Sequence, residues 1–135
     1  MLRMPEPDAA VLSRRVQIAQ DLRGILPAES VIADEHERRV YESDGLTAYR
    51  QLPMIVVLPE TTEQVSRILK YCSEHNVKVV PRGAGTSLSG GALPLEDGIT
   101  LGLGKFSRVL DIDLPNRCAV VQPGVTNLGV TQAVQ

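Results

Sequence analysis

The sequence predicts an α+β domain, a small parallel or mixed sheet flanked by helices. Three observations carry that expectation. The apolar run MIVVL at 54–58, bounded by Pro53 and Pro59, has the length and β-branched content of a buried strand. A helix-start signature and an apolar stripe at three- and four-residue spacing follow it. A second apolar run, VKVV at 77–80, comes next, so strand, helix and strand close within about thirty residues. That compactness favours parallel strands and a right-handed crossover.

Taken in chain order, residues 5–26 read as an amphipathic helix. Leu12, Val16, Ala19, Leu22 and Leu26 form its stripe, and Pro27 closes it. Val31 and Ile32 begin a short strand, and the highly charged residues 34–42 read as a solvated helical turn. After the strand at 54–58, Thr61 and Gln64 form a capping-box pattern. Val65, Ile68, Leu69 and Cys72 are the expected buried stripe of that helix, and Asn76 is a left-handed C-cap residue. Residues 99–103 read as another strand. Residues 109–113 and 118–122 read as a hairpin around the turn Leu114, Pro115, Asn116 and Arg117. Pro123 and Gly124 then break the chain, and Thr126 caps a last helix short enough to need packing partners. Residues 1–33 are expected to be a helical extension, and residues 34–135 the main lobe.

At 135 residues, 43% hydrophobic and 22% charged, the chain fits one globular domain rather than a disordered segment. No stretch approaches the ~20 apolar residues of a transmembrane helix, and residues 1–7 lack the apolar core of a secretory signal. A net charge of −2, no Trp, one Phe and three Tyr leave no basic, aromatic footprint for nucleic acid. Cys72 and Cys118 form no CxxC pair and read as two reduced thiols of a cytoplasmic protein. His36 and His75 are isolated, so no metal site is expected.

The chemistry concentrates in GAGTSLSGG at 83–91, which holds four of the eleven glycines and the hydroxyls of Thr86, Ser87 and Ser89. Such a segment exposes backbone N–H groups with little bulk in front of them, the makings of an anion cradle. The P-loop pattern fails at Gly91, where it requires Lys. The Rossmann fingerprint fails at Leu88, where it requires its third glycine, and Pro94 followed by Glu96, Asp97 and Gly98 lets no helix open from the loop. The loop would bind phosphate through its own amides and hydroxyls; the other reading is a glycine-rich connector with no ligand. Arg82 has two readings as well: a salt bridge to a nearby carboxylate, or a role in shaping or charging the site.

The segment PRGAGTSLSGGALP at 81–94 resembles the pyrophosphate loop of the vanillyl-alcohol oxidase / p-cresol methylhydroxylase superfamily of FAD-binding domains. Within it the chain looks most like the FAD subunits of glycolate oxidases and the related D-lactate dehydrogenases. YESDGLTAY at 41–49, PMIVVLP at 53–59 with TEQV at 62–65, and VVQPGV at 120–125 resemble further family segments in the same order. The resemblance implies FAD as cofactor, held by Pro81, Arg82, Gly83, Ala84, Gly85, Thr86, Ser87, Gly90 and Gly91, and it brings Pro123 and Gly124 near the flavin. Tyr41, Asp44 and Tyr49 read as packing and turn residues.

The implied parent oxidises a small 2-hydroxy acid, glycolate or D-lactate, to the 2-oxo acid. It would sit with other oxidase subunits in the cytoplasm or peripheral to the inner membrane. The family's second glycine-rich stretch, its substrate-binding Arg and its catalytic His have no counterpart here, so no catalytic residue is expected. The chain reads as the first lobe of the domain, an N-terminal fragment or truncated product without turnover of its own. The competing expectations are a non-catalytic nucleotide-binding module, a ligand-free remnant with exposed apolar surface, and a parent acting on alcohols, phenols or an enolpyruvyl sugar nucleotide.

Overall fold

A computed structural model describes residues 4–135. Residues 1–3, part of the stretch read above as lacking a signal core, lie outside the described residues. Asp8 starts helix α1 (Ala9–Ser13), its carboxylate accepting from the N–H groups of Ala10 and Val11. The single helix expected over 5–26 is in fact two. At Arg14 the backbone leaves helical geometry (φ −95°, ψ 6°) and resumes as α2 (Arg15–Arg23). The break rotates the apolar face. Val16, expected inward, is 73% exposed, while Val11 and Ile18 are buried with Ala19, Leu22 and Leu26.

The strand β1 (Val31–Ile32) follows, then α3 (Glu35–Arg38), capped by Asp34, and a 3-10 turn at Arg39–Tyr41. Glu35, His36 and Glu37 lie in solvent as expected, but Arg38 is only 3% exposed. Strand β2 (Ile55–Val57) is wholly buried. Helix α4 (Thr62–Glu74) begins at a reciprocal capping box in which Gln64 N–H donates to Thr61 Oγ1 at 3.2 Å and Thr61 N–H donates to Gln64 Oε1 at 3.3 Å. Ile68 and Cys72 enter the core, and burying Ile68 alone stabilises the fold by about 1.5–3 kcal/mol. Leu69 stays exposed, because it lies off the face that Ile68 and Cys72 define. Asn76 makes the expected left-handed turn, with φ 55°.

Strands β3 (Lys78–Arg82) and β4 (Gly98–Gly102) complete a mixed sheet of order β1-β2-β4-β3, in which β1 is antiparallel to β2 and the other pairs are parallel. The two strands flanking α4 are therefore parallel but not adjacent, since β4 lies between them. Composition explains the order. Every residue of β4 is buried, which suits the centre, whereas β3 contains Pro81, which has no N–H for a second neighbour and is tolerated at an edge. β3 also runs to Arg82, two residues past the expected end, so it delivers its last residue directly to the glycine loop.

The predicted hairpin is present as β5 (Val109–Asp113) and β6 (Cys118–Val121), a separate two-stranded sheet with an irregularity between Val109 and Asp111. Helix α5 (Asn127–Ala133) closes the chain, its cap Thr126 accepting from Gly129 N–H. One apolar cluster joins Val11, Ile18 and Leu22 to Ile55, Ile68, Ile99 and Leu101, so α1 and α2 share the core of the sheet. Among the described residues no helix is long and apolar enough to cross a membrane.

Candidate functional site

Residues 83–97, between β3 and β4, form no helix or strand, as the exclusion of a Rossmann turn requires. Gly85 (φ 73°) and Gly90 (φ 78°) hold the left-handed conformations that bend the loop at its two ends. Few of its amides are spent internally: Ser89 N–H donates to Ser87 Oγ at 3.3 Å and Leu93 N–H to Gly90 O at 3.1 Å. The amides of Ala84, Gly85, Thr86, Ser87 and Leu88 meet no acceptor among the described residues. A Cβ added at Gly83 or Gly90 would meet nothing within 4 Å, so open space stands in front of the backbone at both positions. Unspent amides on a largely exposed loop fit a pyrophosphate group, and Thr86, Ser87 and Ser89 add hydroxyls on the same loop.

Arg82 is used for architecture. Its Nη1 donates to Ser43 O at 2.8 Å and to Ala92 O at 3.4 Å, and its guanidinium carbon lies 5.7 Å from the centre of the Tyr41 ring. Gly85 folds onto the same group, where a Cβ would come within 2.2 Å of Arg82 Nη2. No carboxylate lies within 4.0 Å of it among the described residues, so the salt-bridge reading gives way to the shaping one.

The loop rests on residues 41–51, and sequence reasoning missed how. A Cβ at Gly45 would lie 2.8 Å from Thr86 O and 3.0 Å from Ser87 O, so only glycine lets the two segments approach this closely. Gln51 N–H donates to Glu42 O at 2.8 Å and closes that segment on itself. Asp44 turns it, accepting from Leu46 N–H at 3.0 Å; its Oδ2 is buried with no partner among the described residues. The glycine beside Asp44 was the visible signal, but its partner lies about forty positions on, beyond any local pattern. Tyr49 does not join this cluster; its N–H donates to Leu46 O within the same turn.

Pro81 pairs with Leu101 in the sheet and Gly91 lies at the exposed far side of the loop. Gly124 is explained by packing: a Cβ there would meet the carbonyls of Leu103 and Phe106, both at 2.7 Å. Cys72 and Cys118 are free thiols, and no cluster of metal-ligating side chains occurs among the described residues.

Residues 53–135 match the FAD binding domain family. The glycolate oxidase subunit GlcD of Escherichia coli (strain K12) is 49% identical over 120 residues, 89% of this chain and 24% of that protein. A D-lactate dehydrogenase of Archaeoglobus fulgidus is 47% identical over 72 residues, 53% of this chain and 16% of that one. Among solved structures, p-cresol methylhydroxylase with substrate bound superposes with a TM-score of 0.79 at 25% identity, covering 98% of this chain and 26% of that chain. The chain thus spans about a quarter of the length of the GlcD relative.

Proposed function

The chain belongs to the FAD binding domain family, with FAD as its cofactor, and from that premise we propose that residues 83–91 cradle the FAD pyrophosphate in an oxidoreductase acting on a small 2-hydroxy acid. The observation that carries the reading is the run of unspent amides from Ala84 to Leu88, on a largely exposed loop with left-handed residues at Gly85 and Gly90 and open space in front of Gly83 and Gly90. Gly83, Ala84, Gly85, Thr86 and Ser87 would line the near side of the phosphates, and Gly90 and Gly91 the far side. Pro81 sets the direction in which the loop leaves the sheet, and Arg82 keeps its shape. Backbone amides suit a pyrophosphate because they neutralise it by dipoles already in place, with no side-chain ordering at the moment of binding.

Bound flavin supplies a ring that accepts the hydride of the substrate carbon. The chain's own contribution is to hold and orient that cofactor. The 2-hydroxy-acid substrate class, glycolate or D-lactate, rests on the names of the similar proteins. The word subunit in the name of the GlcD relative supports association with other chains. Two free thiols fit a reducing, cytoplasmic setting.

Titrating FAD against the chain and following flavin fluorescence tests the first half. Saturable quenching, reversed by ADP, is expected. The absence of binding at millimolar FAD and ADP leaves the loop a connector. The substrate class is tested on the FAD-loaded protein: anaerobic glycolate or D-lactate should bleach its flavin absorbance, and a phenol should not. The reverse pattern assigns it to the phenol-oxidising branch.

A further inference from the structure

A polar cavity that includes none of residues 83–91 lies beside the first helices. It encloses about 270 Å³ and is lined by Arg15, Glu35, Arg38, Gln51 and Glu96 over a floor that includes Met54. Arg38 is its most unusual wall. The residue is 3% exposed, yet no carboxylate lies within 4.0 Å of it among the described residues. Its guanidinium makes two hydrogen bonds, Nε to Asp34 O at 3.3 Å and Nη1 to Pro53 O, both to backbone carbonyls. Three of the five N–H donors of a guanidinium are therefore unspent.

A buried cation without a counter-ion is costly to keep, and a second cation stands on the same wall. Arg15 donates through Nη2 to Ala33 O at 2.6 Å and keeps its other donors. Burial, and next the charge of Arg15, push the Arg38 guanidinium below its ordinary value, against a pull from Glu35 and Asp34. The two carboxylates of the lining answer this charge only in part: Glu35 acts on it without contact, its Oε1 held by Arg39 at 2.7 Å, and exposed Glu96 forms no ion pair among the described residues. Two guanidiniums on a cavity whose lining carboxylates, Glu35 and Glu96, form no ion pair with either of them match the planar, two-oxygen face of a small oxyanion.

We propose that this cavity binds a small oxyanion, clamped between the Arg38 and Arg15 guanidiniums. The site is independent of the FAD reading, since it involves none of residues 83–91.

The test is an amide-resolved NMR titration of the chain with sodium acetate and, separately, sodium phosphate, each against sodium chloride at matched ionic strength. Saturable shifts at Arg15, Glu35, Arg38 and Gln51 are expected, with chloride giving none. Saturation by acetate alone identifies a carboxylate site, and saturation by phosphate at these residues identifies a phosphate site. Phosphate shifts confined to residues 83–91 report the pyrophosphate loop and overturn the proposal. Arg38→Gln risks misfolding, so Arg15→Gln, at a partly exposed position, carries the mutational test and should weaken binding by about tenfold. Undiminished binding in Arg15→Gln overturns the clamp. Saturation that appears only in Glu96→Gln shows that Glu96 is the cavity's own counter-ion and overturns it as well.

Discussion

Gly85 satisfies two demands that no other residue meets together: φ of 73°, and a face pressed against Arg82, where a Cβ would sit 2.2 Å from Nη2. Retreat of the guanidinium would break its bonds to Ser43 O and Ala92 O and lift it from Tyr41. Gly85→Ala should therefore lower stability by about 1–3 kcal/mol and weaken FAD by about tenfold or more. Gly83→Ala tests a different property. Nothing lies within 4 Å of a Cβ there, so stability should stay within about 0.5 kcal/mol of the parent while FAD weakens as the methyl group takes up the cradle. Urea melts and FAD fluorescence titrations separate the two. Parental affinity in both variants would mean that the loop does not hold the pyrophosphate. The glycines and hydroxyls of this loop were legible because small residues at high density have few other uses. The role of Arg82 was not, because its acceptors lie 39 positions before and 10 after it, and no spacing rule distinguishes a carbonyl partner from a carboxylate one.

Between elements, Asp97 joins the first helix to the sheet. Its buried carboxylate accepts from Asp8 N–H at 2.8 Å and from Lys78 Nζ at 2.6 Å, tying the cap of α1 to β3 and the approach to β4. Burial pushes this carboxyl up, but the Lys78 ammonium and the Asp8 N–H outweigh it and hold it below the ordinary carboxylate range. A folded value below the unfolded one gives stability that is full above about pH 3.9 and is lost as the pH falls through the folded value. Asp97→Asn should cost about 1–3 kcal/mol at neutral pH and reduce the stability lost on acidification, read from urea melts at neutral and acid pH. An unchanged acid loss would place the titrating group elsewhere. The segment 41–51 supports the glycine loop by backbone approach, so Gly45→Ala should push Thr86 and Ser87 outward and weaken FAD several-fold, with the melt recording the smaller change. A parental FAD titration for Gly45→Ala would show that the segment does not set the loop. The strands were legible from their apolar runs and α4 from its capping box. Sheet order was not, because a run such as Ile99-Thr100-Leu101 declares burial without naming its neighbours. The first helix was misjudged in phase because the backbone break at Arg14 falls at an ordinary residue with no Gly or Pro to mark it.

Across the whole molecule, burial is uneven. The sheet with α1, α2 and α4 surrounds one continuous core, whereas every residue of β6 is exposed and α5 buries none of its residues. Leu110, Leu114, Val120 and Leu128 are each more than half exposed. Leu110 and Leu114 also line cavities beside the hairpin, while Val120 and Leu128 stand on the outer surfaces of β6 and α5. A cavity of about 320 Å³ links the hairpin to α5 through Ile112, Leu114, Val130 and Val134, and another of about 370 Å³ joins Leu110 and Val121 to Val65 and Phe106. An apolar surface of this kind drives association, and a net charge of −2 supplies little repulsion against it. The 135-residue chain should therefore self-associate with rising concentration. The pair Val120→Lys and Leu128→Lys should restore a monomer and leave the melting midpoint nearly unchanged, because both side chains already face solvent. Light scattering across a concentration series measures the first effect and thermal melting the second. A parent chain that stays monomeric throughout would show that the hairpin and α5 do not associate. A double variant that unfolds would show that these side chains pack more tightly than their exposure implies.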